Sequence, residues 1–211
     1  MKSSSEVKLL GVTIDKQLSF YPHVMAIRKH ASSKTKALMR IKNYLSDAQA
    51  NVLVNAFILS AFNYCPLIWM FCSKMAHNLI NSTHRRILCA KTGSFSSSLE
   101  DLLAVTNSVS IHTRNLRLLM TEVFRTLNRL NPAIMWDTFQ TSATTYSLRC
   151  GSTLVIPRIK KALGVNSFDF RASMGWNALP AEVKEAETIA AFKNALSKVT
   201  ICCTCKHCCK R

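Results

Sequence analysis

Glycine and acidic residues are both scarce in this chain of 211 residues. Glycine occurs only five times, and the sequence contains no phosphate-cradling glycine loop, no GxSxG nucleophile motif and no HExxH metal motif. Glu100 and Asp101 are adjacent and would diverge on a helix, so a charge at a helix N-terminus is a simpler role for them than a two-metal site. We therefore predict no catalytic residue and no small-molecule substrate.

The shortage of acids leaves the chain strongly positive. Lysine and arginine number 28 against 11 acidic residues, which gives a formal net charge of +17. A charge of this size favours a polyanionic partner through counterion release, and nucleic acid is the leading candidate. Two alternatives stay open: a chain that is merely soluble and basic, and a fragment whose charge was once balanced by an acidic domain.

No apolar run follows Lys2, so a secretory signal peptide is not predicted and an intracellular setting, nuclear or cytoplasmic, is expected. Five of the nine cysteines lie in the last ten residues, which is not a spaced disulfide framework. Cys203, Cys205 and Cys208 form a C-x-C-x2-C pattern whose thiolates suit zinc. So short a span constrains tetrahedral coordination, and an unstructured thiol-rich tail is the slightly favoured alternative.

The N-terminal third predicts a hairpin followed by a helix. Residues 7–14 are typical of a strand, 15–17 of a turn and 18–20 of a returning strand. Pro22 suits the first turn of a helix that continues to about Tyr44, with one apolar face and one cationic face. The cationic face includes Arg28, Lys29, Lys36 and Arg40.

Further helices are predicted downstream. Ser46 and Gln49 have the spacing of a capping box, Pro66 ends or kinks the helix they begin, and Gly93 stops a third helix. Residues 99–105 suggest a helical turn, and Ser110 is expected to cap a long helix reaching Leu130. Residues 154–156 and 167–171 resemble short strands, and two helices are expected over 181–186 and 188–198.

The predicted fold class is mainly α, with an N-terminal β hairpin, a helical thumb-like bundle and a small mixed α/β C-terminal part. The predicted division is 1–21 for the hairpin, 22–95 for the bundle, 96–139 for a helical extension, 140–200 for the mixed region and 201–211 for the cysteine-rich basic tail. A boundary within residues 95–110 separates the two larger parts.

Residues 48–73 carry no charge and are long enough to cross a bilayer, so a small membrane-associated protein is an alternative hypothesis. Their polar load and the break at Pro66 suit two buried helices better, which disfavours a membrane partner.

Several strings, in order, resemble the C-terminal part of non-LTR, LINE-type retrotransposon reverse transcriptases. KLLGVTIDKQLSFYPHV at 8–24 is similar to the segment that joins palm to thumb, and FILSAFNYCPLIWMFCSK at 57–74 with HRRIL at 84–88 is similar to the thumb. SVSIHTRNL at 108–116, YSLR at 146–149 and WNALP at 176–180 resemble the region downstream. No position matches the family's catalytic aspartates.

The resemblance implies a primer grip at the hairpin, where Gly11 would allow close backbone approach; an ordinary solvent-edge hairpin is the alternative. It also implies a thumb whose nucleic-acid-binding surface, with Arg28, Lys29, Lys36 and Arg40, faces a primer and template hybrid of RNA and DNA. Independently of the resemblance, His84, Arg85 and Arg86 on the third helix are predicted to contact phosphate, although at about 100° per residue at most two can reach one phosphate path. A solvated polar face with His84 capped or exposed is the open alternative. Because the palm segment is not represented, we expect passive binding without polymerase activity, and the palm would be the natural packing partner. An inactive helical remnant is a further alternative, and it would expose Leu9, Val12 and Trp69.

Overall fold

The computed structural model describes residues 5–141 and 153–201 of the chain. The chain divides into two compact units, Met1–His112 and Thr113–Arg211. The predicted fold class is confirmed, because a two-stranded antiparallel hairpin precedes a series of helices.

The hairpin consists of β1 (Glu6–Leu9) and β2 (Val12–Asp15), with Leu9 opposite Val12. Its turn is formed by Leu10 and Gly11, which have φ values of 43° and 84°. Positive φ at both central residues is what a tight type I′ hairpin turn requires, and glycine adopts it without strain. A turn does lie at the predicted residues 15–17, where the backbone N–H of Leu18 donates to the carbonyl oxygen of Asp15 at 2.9 Å, but it does not close the hairpin. The predicted returning strand at 18–20 is wrong, because the returning strand is β2, which begins six residues earlier.

The side chain of Asp15 determines the conformation of residues 16–20, which connect the hairpin to the first helix. Its carboxylate accepts hydrogen bonds from the backbone N–H groups of Ser19 at 3.1 Å and Phe20 at 2.7 Å. These bonds draw the chain into the turn that precedes the first helix, since a short acidic side chain can replace backbone partners in this way.

The helices of the first unit follow the predicted order. Helix α1 (Tyr21–Ile41) continues as a 3₁₀ turn (Lys42–Tyr44), and α2 (Asp47–Leu53) begins with the predicted capping box between Ser46 and Gln49. A π-helical turn (Val54–Ile58), a 3₁₀ turn (Leu59–Phe62) and α3 (Pro66–Trp69) follow. The prediction that Pro66 ends or kinks the helix begun at Ser46 is wrong, because that helical run ends at Phe62 and Pro66 begins α3. Helix α4 (Lys74–Thr92) ends at Gly93, whose φ of 78° confirms the predicted stop.

The uncharged residues 48–73 are thus divided among four short helical pieces. Across residues 5–141 and 153–201, the structure contains no helix with the length and apolar character needed to cross a membrane. Val12 and Trp69 are buried, and only Leu9 of the three residues expected to form an exposed patch is exposed.

The core of the first unit lies where α1 packs along α4. Val24, Ile27, Ala31 and Leu38 form the buried face of α1, in the spacing that a 3.6-residue period dictates. They pack in one cluster with residues of the uncharged segment and of α4, which are Val54, Ile58, Phe62, Trp69, Ile80 and Ile87. The opposite face of α1 is left to solvent.

Helix α5 (Leu99–Val105) confirms the predicted helical turn. Ser98 and Asp101 form a capping box, so Asp101 serves the helix N-terminus as expected. Hydrogen bonds from Ser98 hold the pKa of Asp101 below its ordinary value. Helix α6 (Ile111–Leu127) confirms the long helix after Ser110, and the division between the two units falls within its first turn.

The second unit contains most of α6, a 3₁₀ turn (Ala133–Thr138), a second 3₁₀ turn (Ala162–Asn166) and helices α7 (Phe168–Asn177), α8 (Ala181–Lys184) and α9 (Ile189–Lys198). Phe192 stacks between Phe124, with ring centroids 4.4 Å apart, and Trp176, with centroids 5.9 Å apart. Leu154 makes one isolated bridge, to Thr141. The predicted strand at 167–171 is wrong, because Ser167 precedes α7 and Phe168 begins it.

Candidate nucleic-acid interface

The cations of α1 repeat along one side of the helix. Arg28, Lys29 and Lys36 are spaced so that a 100° turn per residue brings them to one face, which spans roughly 12 Å at about 1.5 Å rise per residue. Neither α1 nor α4 contains an aspartate or a glutamate. The positive charge of both helices is therefore not offset by a carboxylate on either of them.

Arg86 of α4 completes a groove with this face. The groove has a volume of about 610 Å³. Arg28, Lys29, Lys36 and Arg86 supply its charge, and we call these four residues and the space they line the basic groove. Its remaining lining residues are Met25, Ala26, Ser32 and Ser33. Within the part of the chain that the structure describes, none of the four cations forms a salt bridge.

The three neighbours in the HRRIL string point in different directions. His84 is only 2% exposed, because it lies four residues from Ile80 and Leu88 on the buried side of α4. A phosphate could not reach its ring in this structure, so the predicted role of His84 as a ligand-contacting residue does not fit its position. Arg86 is the member of the string that is exposed in the basic groove.

Arg85 lies between these two extremes. Its Nε donates to the carbonyl oxygen of Ser97 at 2.8 Å, and its second terminal nitrogen donates to that of Phe95 at 2.7 Å. Arg85 therefore holds the loop after α4 in place. Arg40 is exposed on α1 one turn beyond Lys36, outside the lining of the groove.

A smaller cavity of about 190 Å³ adjoins the basic groove, with which it shares Ser32, Lys36 and Arg86. We call it the side pocket. Its other lining residues are Thr35, Met39, Thr83, Arg85, Cys89 and Phe95. The Thr35 and Thr83 hydroxyls donate to the carbonyl oxygens of Ala31 and Leu79, so their oxygens keep acceptor capacity.

Gly11 is needed for reasons internal to the hairpin. A Cβ atom there would lie 3.2 Å from Cε1 of Tyr64, in addition to the strain of a positive φ. The Tyr64 hydroxyl donates to the carbonyl oxygen of Leu10. Packing against Tyr64 therefore accounts for the close approach at Gly11 that the sequence suggested, and a primer strand remains a prediction.

The predicted zinc ligands Cys203, Cys205 and Cys208 lie outside the described residues. Within residues 5–141 and 153–201, no group of three or more His, Cys, Asp or Glu side chains is arranged to hold a metal ion. Burial raises the pKa of the Cys72 thiol to about 12, so this side chain is a neutral thiol at physiological pH.

Two arginines of α6, and one that follows it, make contacts within the second unit. Arg117 donates to the carbonyl oxygen of Ser197 at 2.9 Å, and Arg125 forms a salt bridge with Glu122 at 3.2 Å. Arg129 lies over the ring of Trp136 at 5.4 Å. Arg117, Arg125 and Arg129 therefore stabilise the second unit, in contrast to the cations of the basic groove.

Sequence reasoning missed Ser32, Ser33 and Phe95. The serines could have been found, because they lie four residues after Arg28 and Lys29 on the same helical face. Phe95 stands in a polar linker, where no local pattern indicates that its ring borders a cavity. Comparison of the chain with protein-family models, curated proteins and solved structures found no match in any of the three.

Proposed function

We propose that this chain binds nucleic acid through the basic groove and performs no chemistry on it. The observation that carries this proposal is the convergence of Arg28, Lys29, Lys36 and Arg86 from two helices that contain no acid. Cations without a salt-bridge partner among the described residues gain most from a polyanion, because they replace counterions condensed on its phosphates and release those counterions to solution.

The serine hydroxyls strengthen the argument for phosphate. Ser32 and Ser33 lie between the cations, where they can donate to phosphate oxygens that lysine and arginine have attracted. Arginine adds two parallel donors and lysine a mobile point charge, so the groove offers both modes of phosphate recognition.

The wider proposal is that the chain derives from the reverse transcriptase of a non-LTR retrotransposon, in which it would correspond to the primer grip, the thumb and the region after them. The ordered strings at 8–24, 57–74 and 84–88 support it, and a hairpin that leads into packed helices is compatible with it. In this proposal the partner is a hybrid of RNA and DNA, and the polymerase chemistry belongs to a palm domain that these residues do not supply.

The test is a titration of the whole chain with a fluorescent RNA–DNA hybrid at several salt concentrations, read by anisotropy. We expect binding at low salt and a linear fall of log K with log salt, with a slope set by the number of phosphates neutralised. Failure to bind at low salt, or an affinity that does not respond to salt, would contradict the proposal.

A further inference from the structure

Phe95 is exposed yet firmly positioned at the edge of the side pocket. Its side chain is 59% exposed. Gly93 ends α4 in the left-handed conformation, and the two hydrogen bonds from Arg85 fix the backbone carbonyls of Phe95 and Ser97. The Ser94 and Ser97 hydroxyls, 2.6 Å apart, tie the same loop together. The backbone that carries the aromatic ring is therefore fixed beside the cavity, so that binding need order only the side chain of Phe95.

The lining of the side pocket combines flat apolar surface with polar edges. Phe95 and Met39 provide the apolar part, while Thr35 and Thr83 provide hydroxyl groups. Lys36 and Arg86 belong to both the side pocket and the basic groove, so a phosphate bound between them would lie at the entrance. A nucleobase attached to that phosphate has the same combination of apolar faces and hydrogen-bonding edges.

We propose that the basic groove takes a single strand of nucleic acid and that the side pocket receives one unstacked base against Phe95. This inference rests on the proposed binding of nucleic acid by the basic groove. It departs from the wider proposal in one respect, since the ligand is a strand with free bases and not a paired hybrid. A duplex would have to break a base pair and a stack before a base could enter, whereas a single strand pays little for this step.

Phe57 provides a matched comparison within the same unit. It is 56% exposed, close to the value for Phe95, and the Lys34 ammonium lies 6.0 Å from its ring centroid. However, Phe57 borders an apolar depression formed with Leu38, Ile41 and Leu53, away from the four cations of the basic groove. An effect specific to Phe95 therefore cannot come from loss of an exposed phenyl ring alone.

The experiment compares three fluorescent probes of equal length: oligothymidylate, the same backbone with abasic sites, and a duplex that contains the oligothymidylate strand. Anisotropy titrations use wild type, Phe95→Leu and Phe57→Leu, since leucine keeps apolar bulk and removes the π face. We expect Phe95→Leu to weaken oligothymidylate binding about 5- to 140-fold, the range of one base–aromatic stack, and to leave abasic binding unchanged. Phe57→Leu should bind both probes as wild type does.

The outcomes separate the two proposals. If wild type binds none of the probes at low salt, the proposed function fails and this inference fails with it. If wild type binds the abasic probe as tightly as oligothymidylate, or prefers the duplex, the basic groove stands and the base pocket is refuted. A second readout is Phe95→Trp, whose added indole emission should be quenched by oligothymidylate and not by the abasic probe; equal emission with both probes would overturn stacking.

Discussion

Removing two lysines from the basic groove tests whether binding depends on this surface or only on net charge. The variant is Lys29→Gln with Lys36→Gln, both exposed on α1 and both lining the groove. The control is Lys74→Gln with Lys91→Gln, which removes the same charge from α4 at positions outside the groove lining. Neither pair takes part in a salt bridge within the described residues, so no folded-state ion pair is lost in either variant.

The expected size of the effect follows from counterion release. For single-stranded nucleic acid each neutralised phosphate contributes about 0.7 to the salt slope, so four groove cations give a slope of about −2.8 and two give about −1.4. Between about 50 and 200 mM salt, wild type should then lose about 50-fold in affinity and the groove variant about 7-fold.

The assay is an anisotropy titration at five or so salt concentrations with an oligothymidylate probe, accompanied by thermal unfolding to show that each variant keeps its fold. The control pair should retain the wild-type slope. Equal slopes for the two double variants would refute the reasoning, because binding would then follow the total charge of the chain and not the geometry of the basic groove.

Two predictions concern the hairpin and its link to α1. Asp15→Ala should lower stability by about 1–2 kcal/mol at neutral pH, because Ser19 and Phe20 lose their acceptor. Partial burial acts to raise the pKa of Asp15, but hydrogen bonds from Ser19 and Phe20 leave the pKa below its ordinary value. The contribution of Asp15 to folding stability is therefore present above about pH 4 and lost as pH falls through the lowered pKa. The urea midpoints of variant and wild type should then converge in acid and stay apart at high pH. Gly11→Ala should lower the folding stability more than Gly93→Ala does. Both glycines have positive φ, but only a Cβ at Gly11 would press against Tyr64, whereas nothing lies within 4 Å of a Cβ at Gly93. Equal unfolding midpoints for the two variants would contradict the contact with Tyr64.

The helix ends could be predicted from the sequence because they depend on interactions between residues close together in the chain. The capping box of Ser46 and Gln49 and the stop at Gly93 each involve residues within one turn of the chain, so the sequence contains the whole interaction. The hairpin turn was less predictable, because its stability depends on Tyr64, more than fifty residues away. Asp15 is also a typical turn residue, but its side chain stabilises the turn that precedes α1 and not the hairpin turn.

The candidate site was predictable in part for a related reason. Helical periodicity identifies the cationic face of α1, but it does not say which second helix completes the groove. The burial of His84 could have been predicted, because His84 continues the row of Ile80 and Leu88 at intervals of four. The helix at Phe168 could not have been predicted from the local pattern, since the alternation of Phe168, Asp169 and Phe170 is typical of a strand. Only the burial of Ala172 and Trp176 in the structure identifies this segment as a helix.

The same helical period that builds the core of the first unit also concentrates its charge. Burying Val24, Ile27, Ala31 and Leu38 on one side of α1 leaves Arg28, Lys29 and Lys36 on the remaining surface, and packing against α4 adds Arg86 to them. Like charges that line one groove repel one another, and no acid on either helix offsets that repulsion. A bound phosphate chain would remove that repulsion, and because it binds the folded unit better than the unfolded chain, it should raise the unfolding temperature in proportion to the logarithm of its concentration.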